Sequence, residues 1–160
     1  MAAAITGAAQ SFTYKDANAV AIGTVNGTTG ITTSGGAVTL TTAGAGNITS
    51  ASGKNVTTTA GANSGAVSGA VTMSTNSGNI ALAGDVITTG AANNAATASA
   101  GGQVDLTANS GTLAVANITT SGGAGTGQNG GNAANINLTT AGGTNDLTVL
   151  AEVDGLLASL

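Results

Sequence analysis

The feature that most constrains the fold is an apolar-x-apolar triplet that returns at nearly constant spacing. The triplets begin at positions 20, 38, 71, 104 and 136, so the last three intervals are 33, 33 and 32 residues. They are Val20-Ala21-Ile22, Val38-Thr39-Leu40, Val71-Thr72-Met73, Val104-Asp105-Leu106 and Ile136-Asn137-Leu138. A recurrence of this length is typical of solenoid proteins, in which each period forms one structural unit that stacks on the next.

Two further apolar positions recur with the same period. One follows a polar, glycine-ended turn and is occupied by Ile48, Ile80, Leu113 and Leu147. The other is a β-branched residue before two threonines: Ile31-Thr32-Thr33, Val56-Thr57-Thr58, Ile87-Thr88-Thr89 and Ile118-Thr119-Thr120. Three short strands per period, separated by turns rich in Gly, Asn and Ser, predict one coil of a parallel β-helix.

The alternation within each triplet predicts which side chains point inward. Successive side chains of a strand point to opposite faces, so the first and third residues face the core and the middle one faces solvent. One predicted inward column contains Ile22, Leu40, Met73, Leu106 and Leu138. The predicted fold class is therefore all-β: a right-handed parallel β-helix of about five coils over residues 19–150. A β-sandwich is the main structural alternative, but it does not require such a strict recurrence.

The variable part of each period lies between the third strand and the next triplet. It covers residues 35–37, 60–70, 90–103 and 121–135, and we interpret these segments as insertions, rich in Gly, Ala and Asn, along one edge. The first interval of 18 residues then predicts a minimal coil of about that length. Residues 1–18 and 151–160 lie outside the repeat and are each predicted to be a cap or a docking segment.

The composition excludes several classes of function. Charged residues make up 5% of the chain, there are two lysines and no arginine, and histidine and cysteine are absent. A surface that tracks nucleic-acid phosphates needs many cations, and zinc or thiolate chemistry needs the missing side chains. No run of 18 apolar residues is present, so no helical membrane span is expected. We expect no cofactor and no metal.

Several stretches share a recognisable repeat sequence: Tyr14-Lys15-Asp16-Ala17-Asn18-Ala19-Val20-Ala21-Ile22-Gly23, then Gly30-Ile31-Thr32-Thr33, Gly46-Asn47-Ile48-Thr49 and Asn79-Ile80-Ala81-Leu82. These stretches resemble the repeats of filamentous-haemagglutinin-like bacterial exoproteins and adhesins, and the similarity covers about residues 14–150. The resemblance implies a right-handed β-helical shaft of a surface adhesin or secreted exoprotein. It carries no functional residues over to this chain.

Polar residues that could form a site are scattered. The acids Asp16, Asp85, Asp105, Asp146, Glu152 and Asp154 fall on different predicted faces, so no acid–base pair for sugar chemistry is expected and the catalytic set is predicted to be empty. The stretch 142–147 partly resembles a calcium-binding glycine-rich repeat, but it occurs once and is interpreted as a turn. Asn47, Asn76, Asn79 and Asn109 begin turns, which we attribute to left-handed backbone conformations and to capping of the turn.

The outward threonines offer the sharpest alternative function. Thr39, Thr41, Thr72, Thr107 and Thr139 are predicted to form two columns on one flat face, interrupted by Ser74, Asp105 and Asn137. A regular threonine array of this kind can match an ice lattice, whereas Thr is also an ordinary soluble strand residue. Ice binding by an antifreeze-type solenoid is therefore kept as the alternative.

The main functional expectation is a non-enzymatic structural or adhesive protein, outside the cell or on its surface. Its expected partner is itself, as an end-to-end or lateral homopolymer, with cell-surface or extracellular-matrix components as further candidates. The residues expected to take part in self-association are the apolar Leu156, Leu157 and Leu160 near one end, and Phe12 and Tyr14 near the other. Weak electrostatic repulsion between copies, from so few charges, favours association.

Overall fold

A computed structural model describes residues 1–94, 96–127, 129–141, 147–149 and 153–154. Within these residues all regular structure is β-strand. The strands are β1 (Ala3–Ala8), β2 (Phe12–Asp16), β3 (Val20–Ile22), β4 (Thr24–Val25), β5 (Thr28–Thr29), β6 (Ile31–Ser34), β7 (Val38–Thr42), β8 (Ile48–Ser50), β9 (Val56–Thr57), β10 (Val71–Thr75), β11 (Ile80–Leu82), β12 (Val86–Ile87), β13 (Val104–Ala108), β14 (Leu113–Val115), β15 (Ile118–Thr119), β16 (Ile136–Thr140), β17 (Leu147–Val149) and β18 (Val153–Asp154).

The strands build three parallel sheets around one core. Sheet A has the order β1-β6-β9-β12-β15-β18, sheet B the order β2-β7-β10-β13-β16, and sheet C the order β3-β8-β11-β14-β17. The chain visits A, B and C in turn and then begins the next coil, which confirms the predicted parallel β-solenoid. The path makes about four turns from its first to its last coil, slightly fewer than the five coils expected from the sequence.

The core confirms the predicted alternation. In β7, β10 and β13 the first and third residues are fully buried while the second is partly exposed. The central column of sheet B runs through Leu40, Met73 and Leu106, all at 0% exposure. The core is narrow because each coil contributes only a few aliphatic side chains. These side chains are buried by the adjacent coils above and below them.

The first triplet lies in a different sheet from the one predicted. Val20–Ile22 pairs with β8 in sheet C, and the strand that pairs with β7 in sheet B is Phe12–Asp16. Phe12-Thr13-Tyr14 alternates aromatic rather than aliphatic residues, so the aliphatic recurrence that marks the later coils does not reveal this strand. The minimal coil of about 18 residues is therefore also wrong: position 12 pairs with position 38, an interval of 26 residues.

The insertions lie together at the corner between sheets A and B, as predicted. They stack on one another through backbone hydrogen bonds. The backbone N–H of Asn63 donates to the Ala92 carbonyl over 2.8 Å, and the backbone N–H of Asn93 donates to the Ala124 carbonyl over 3.1 Å. A different insertion, the antiparallel pair β4–β5, was not predicted. Its turn has positive φ at Asn26 (47°) and Gly27 (81°), the combination that a two-residue hairpin turn requires.

Buried threonines close the turns from inside. The hydroxyl of Thr75, which is fully buried, donates to the Gly78 carbonyl over 2.5 Å, and Thr42 donates to the Gly46 carbonyl over 2.7 Å. Equivalent bonds join Thr33 to Gly36, Thr58 to Gly69, Thr88 to Gly102 and Thr120 to Ala134. A threonine whose hydroxyl donates to a turn carbonyl therefore fills the core without leaving a buried polar group unpaired.

Turn asparagines link successive coils. The Asn47 side-chain oxygen accepts the backbone N–H of Asn79 over 2.8 Å, and the Asn79 oxygen accepts that of Thr112 over 2.8 Å. Among the described non-glycine residues, positive φ occurs at Ala9, Asn26 and Asn63. The left-handed conformation expected at Asn47, Asn76, Asn79 and Asn109 is therefore wrong, and at Asn47 and Asn79 the side chain serves hydrogen bonding between coils.

Candidate functional site

The outward face of sheet B carries the threonines considered for ice binding. Strand pairing places Thr39, Thr72, Asp105 and Asn137 in one column, and Thr41, Ser74, Thr107 and Thr139 in the other. The first coil extends these columns with Thr13 and Lys15. The face is therefore chemically mixed, with a cation at one end and a carboxylate near the other.

Asp105 belongs to a small amide network on this face. The Gln103 Nε2 atom lies 2.9 Å from each carboxylate oxygen, and the Asn137 side chain of the next coil donates to Oδ1 over 2.6 Å. The carboxylate is thus satisfied by neutral donors from its own strand end and from the following coil. This network breaks the regular hydroxyl spacing that an ice-lattice match requires.

Sheet A presents a more regular hydroxyl array, which sequence reasoning missed. We call it the hydroxyl face; it consists of Thr32, Thr57, Ile87 and Thr119 in one column and Ser34, Thr59, Thr89 and Ser121 in the other. The pairing of Thr32 with Thr57, of Thr57 with Ile87 and of Ile87 with Thr119 fixes the register of the first column. The inward apolar residue of this coil is therefore Val86, and its assignment to Ile87 from the sequence is wrong. The sequence signal is a short run of Thr and Ser after each third apolar position, which indicates a strand but does not by itself indicate a surface.

The hydroxyls of this face differ from those in the core. Within the described part of the chain they make no hydrogen bond to the protein, whereas each turn-closing threonine is bonded to a carbonyl. All eight side chains are partly or fully exposed. None of these eight residues is charged, and Asp154 continues the first column in register with Thr119. The face combines methyl groups with hydroxyls that remain free for solvent or a ligand.

Sheet C presents a third kind of face, built from small side chains. Its outward column runs through Ala21, Thr49, Ala81 and Ala114. A shallow depression of about 320 Å³ lies here, lined by Thr49, Ser50, Ala81, Leu82, Ala83 and Ala114. The depression contains no titratable group and no nucleophile apart from hydroxyls.

The N-terminal end of the solenoid is closed partly by aromatic side chains. Phe12 and Tyr14 stand in register with Val38 and Leu40, but Tyr14 remains 37% exposed because no described strand lies above it. The Tyr14 hydroxyl donates to Asp16 Oδ2 over 2.8 Å. This bond, together with the carboxylate charge, raises the pKa of Tyr14, while hydrogen bonds from the Asn18 amide and the Tyr14 hydroxyl lower the pKa of Asp16.

The backbone of Met1 covers the outer edge of β3 at the same end. Its amino group donates to the Ala21 carbonyl, and its carbonyl accepts from the Gly23 amide. The edge of β2 has no such cover among the described residues. The N-terminal end is therefore closed over sheet C and open over sheet B.

The opposite end leaves core positions uncovered. Leu147 and Val149 are 49% and 42% exposed, although they stand in register with the fully buried Leu113 and with Val115 at 1%. Ile136 and Leu138 are half-buried, whereas their equivalents in the three preceding coils are at 0%. The expected self-association residues Leu156, Leu157 and Leu160, and the turn at 142–146, lie outside the described residues.

The described residues hold no group of three or more His, Cys, Asp or Glu side chains that could bind a metal ion. Asp85 and Asp105 each accept an amide N–H from the next coil, from Asn117 and Asn137 respectively. These carboxylates therefore take part in the same inter-coil bonding as the turn asparagines. In the described part of the chain we find no helix with the length and apolarity needed to cross a membrane.

Comparison of the chain with protein-family models, with curated proteins and with solved structures finds no match. What the chain can do is therefore inferred from the geometry of its faces and ends.

Proposed function

We propose that this chain is a non-enzymatic shaft segment: a rigid β-solenoid that spaces or displays other parts of an extracellular or cell-surface assembly. The observation that carries the proposal is the continuous parallel stacking of three sheets through the described coils, in register apart from one bulge between β1 and β6. Each coil repeats the hydrogen bonds and the core of its neighbour, so the length of such a structure can be changed without redesigning it.

The sequence resemblance to filamentous-haemagglutinin-like exoproteins and adhesins agrees with this proposal and motivates the extracellular location. The distribution of polar groups also supports it. Several amides and carboxylates on the described surface form bonds between adjacent coils, as Asn47, Asn79, Asp85 and Asp105 illustrate. Such bonds stiffen the stack along its axis, which is the mechanical property that a shaft requires.

A shaft should accept additional coils. We expect a variant in which residues 71–103 are duplicated in tandem, three extra times, to fold cooperatively and to lengthen by about 4.8 Å per added coil. The reason is that Val71 pairs with both Val38 and Val104, so a copied coil meets the same neighbours as the original. Small-angle X-ray scattering measures the maximum dimension and the cross-section.

The matched control repeats residues 71–82 instead, which carry only a sheet B strand and a sheet C strand, so that a sheet B strand follows where a sheet A strand belongs. We expect this insertion to disrupt folding. If the full-coil series also fails to fold, or thickens without lengthening, the shaft proposal is wrong.

A second candidate function is ice binding, and the structure favours a different surface for it. The eight residues of the hydroxyl face on sheet A carry seven free hydroxyls, and the one acidic neighbour that the described strands place in register with them is Asp154, beside Thr119. The face of sheet B predicted from sequence contains both Lys15 and the Asp105 network.

Thermal hysteresis distinguishes the two faces. If the protein binds ice, the double change Thr57→Tyr and Thr59→Tyr should abolish hysteresis, because two bulky rings interrupt the hydroxyl face. The matched change Thr72→Tyr and Ser74→Tyr on sheet B should leave it intact. Absence of hysteresis in the unmodified chain removes this candidate and leaves the shaft proposal standing.

A further inference from the structure

The two ends of sheet B are complementary strand edges. Strand β2 at one end and β16 at the other have five residues each and occupy equivalent positions in the stack. In the interior, each such strand pairs with a neighbour over five residues in unbroken parallel register. A single edge in this sheet can therefore be matched residue for residue by the edge at the opposite end of another copy.

The free hydrogen-bonding groups at the β2 edge can be identified. The Phe12 amide donates to the Ala37 carbonyl, and the Asp16 carbonyl accepts from the Ala43 amide, so residues 12, 14 and 16 bond to β7. Alternate residues of a parallel strand bond to opposite sides. The backbone groups of Thr13 and Lys15 therefore face away from the molecule.

Among the described residues no strand pairs with the outer edge of β16, which provides the reciprocal groups. The Val104 amide donates to the Asn135 carbonyl and the Ala141 amide donates to the Ala108 carbonyl. Residues 137, 139 and 141 thus bond back to β13, and residues 136, 138 and 140 face outward. An incoming β2 edge would align its Thr13 amide with the Ile136 carbonyl and its Lys15 amide with the Leu138 carbonyl, which repeats the interior pattern.

The core chemistry of the two ends matches at the first two inward positions, whereas the third brings the Asp16 carboxylate against Thr140. Ile136 and Leu138 leave part of their apolar surface exposed at one end, and Phe12 and Tyr14 do so at the other. In the interior the same positions are fully buried by the adjacent coil. The outward columns would bring Lys15 beside Thr139 and Thr13 beside Asn137, so the junction places no like charges together.

From these observations we propose that a second copy of this chain docks head to tail through sheet B, with β2 of one copy pairing in parallel with β16 of the next. This inference rests on the proposed shaft function. It identifies the partner as a second copy of the chain and the contacting surfaces as the β2 and β16 edges. Because the two surfaces are different, the contact is heterologous and generates an open filament rather than a closed dimer. In sheet C the same docking brings β17 of the second copy over β3, so Met1 must give up its hydrogen bonds to Ala21 and Gly23 when the junction forms.

Two variants block one end each. Thr13→Pro removes an amide that faces the free edge and puts a ring there, while the bonds to β7 remain. Lys15→Pro removes the second amide that faces the free edge. It replaces Thr13→Pro in the experiment if Thr13→Pro lowers the circular-dichroism signal and therefore disturbs folding. Leu138→Asp places a charge at the opposite end, where the side chain is half-exposed in the single copy but would be buried in the junction.

We expect the unmodified chain to form concentration-dependent polymers in sedimentation velocity, and each blocked variant alone to remain a folded monomer. Thr13→Val, which keeps the amide, should polymerise like the unmodified chain. An equimolar mixture of Thr13→Pro and Leu138→Asp should give a discrete 1:1 dimer, because one variant retains a free β16 edge and the other a free β2 edge.

The mixing experiment separates this inference from the shaft proposal. A monodisperse monomer for the unmodified chain at high concentration overturns the junction, while the coil-duplication series still decides the shaft. Polymers that persist in both blocked variants, or a mixture that stays monomeric, also overturn head-to-tail docking and indicate lateral association instead.

Discussion

Replacing Leu40 with Asp is expected to unfold the protein. Leu40 is fully buried in the central column of sheet B, between Tyr14 of the first coil and Met73 of the third. The described core around it is aliphatic, so the carboxylate would meet no partner and would be desolvated. A buried, unpaired charge destabilises by about 4–5 kcal/mol or more, which is comparable to the whole stability of a small domain. Far-ultraviolet circular dichroism and thermal melting measure the loss.

The adjacent residue provides the matched control. Thr41 is the next residue of the same strand, points outward, and stands in register with Lys15 of the first coil. We expect Thr41→Asp to leave stability unchanged within about 0.5 kcal/mol, because it is a surface change beside a cation. A similar loss of stability at both positions would contradict the inward–outward assignment on which the whole solenoid rests.

The sequence is sufficient to predict the interior coils because two constraints coincide there. The period of about 33 residues determines which strands pair, and the alternation within a strand determines which side chains are buried. Both are visible in Val38-Thr39-Leu40 and its successors, which the structure places in register with one another. The position of the insertions follows from the same alignment.

The first coil cannot be predicted in this way because its residues obey a different constraint. An end coil has one neighbour, so aromatic and polar side chains are tolerated where the interior requires close-packed aliphatic ones. Phe12-Thr13-Tyr14 therefore lacks the aliphatic signature, and the chain's first aliphatic triplet, Val20–Ile22, carries it in another sheet. The pairing of β2 with β7 corrects this assignment.

The candidate surfaces can be predicted only in part from the sequence, for a related reason. Which threonine is buried depends on its place relative to the turn: Thr58 closes a turn from inside, whereas its neighbours Thr57 and Thr59 face outward. A run of three threonines gives no periodic signal that separates these roles. The free hydroxyl face on sheet A is therefore recognisable only from the register of β9 with β6 and β12.

The close approach of successive coils at their turns leads to a second large expected effect. A Cβ atom built on Gly78 would lie 2.1 Å from the Gly46 carbonyl oxygen and 2.5 Å from its carbon. Gly111 makes the same approach to Gly78, so the contact recurs from coil to coil. The obstacle is backbone that is itself part of a stacked turn and cannot rotate away. We expect Gly78→Ala to destabilise the protein by about 3 kcal/mol, because the added methyl group must force two coils apart.

The control for this change is Gly23, which follows β3 and has no atom within 4 Å of the position that an added methyl group would take. Its φ is not in the left-handed region, so alanine meets neither a steric nor a conformational obstacle there. We expect Gly23→Ala to be neutral or to stabilise by about 0.5 kcal/mol, because the unfolded chain loses conformational freedom. Urea denaturation gives both free energies on one scale. Equal effects on the free energy of unfolding at the two glycines would mean that the coils can separate at their turns without loss of stability. Glycine at the turns would then reflect local backbone flexibility and not the close spacing of the coils.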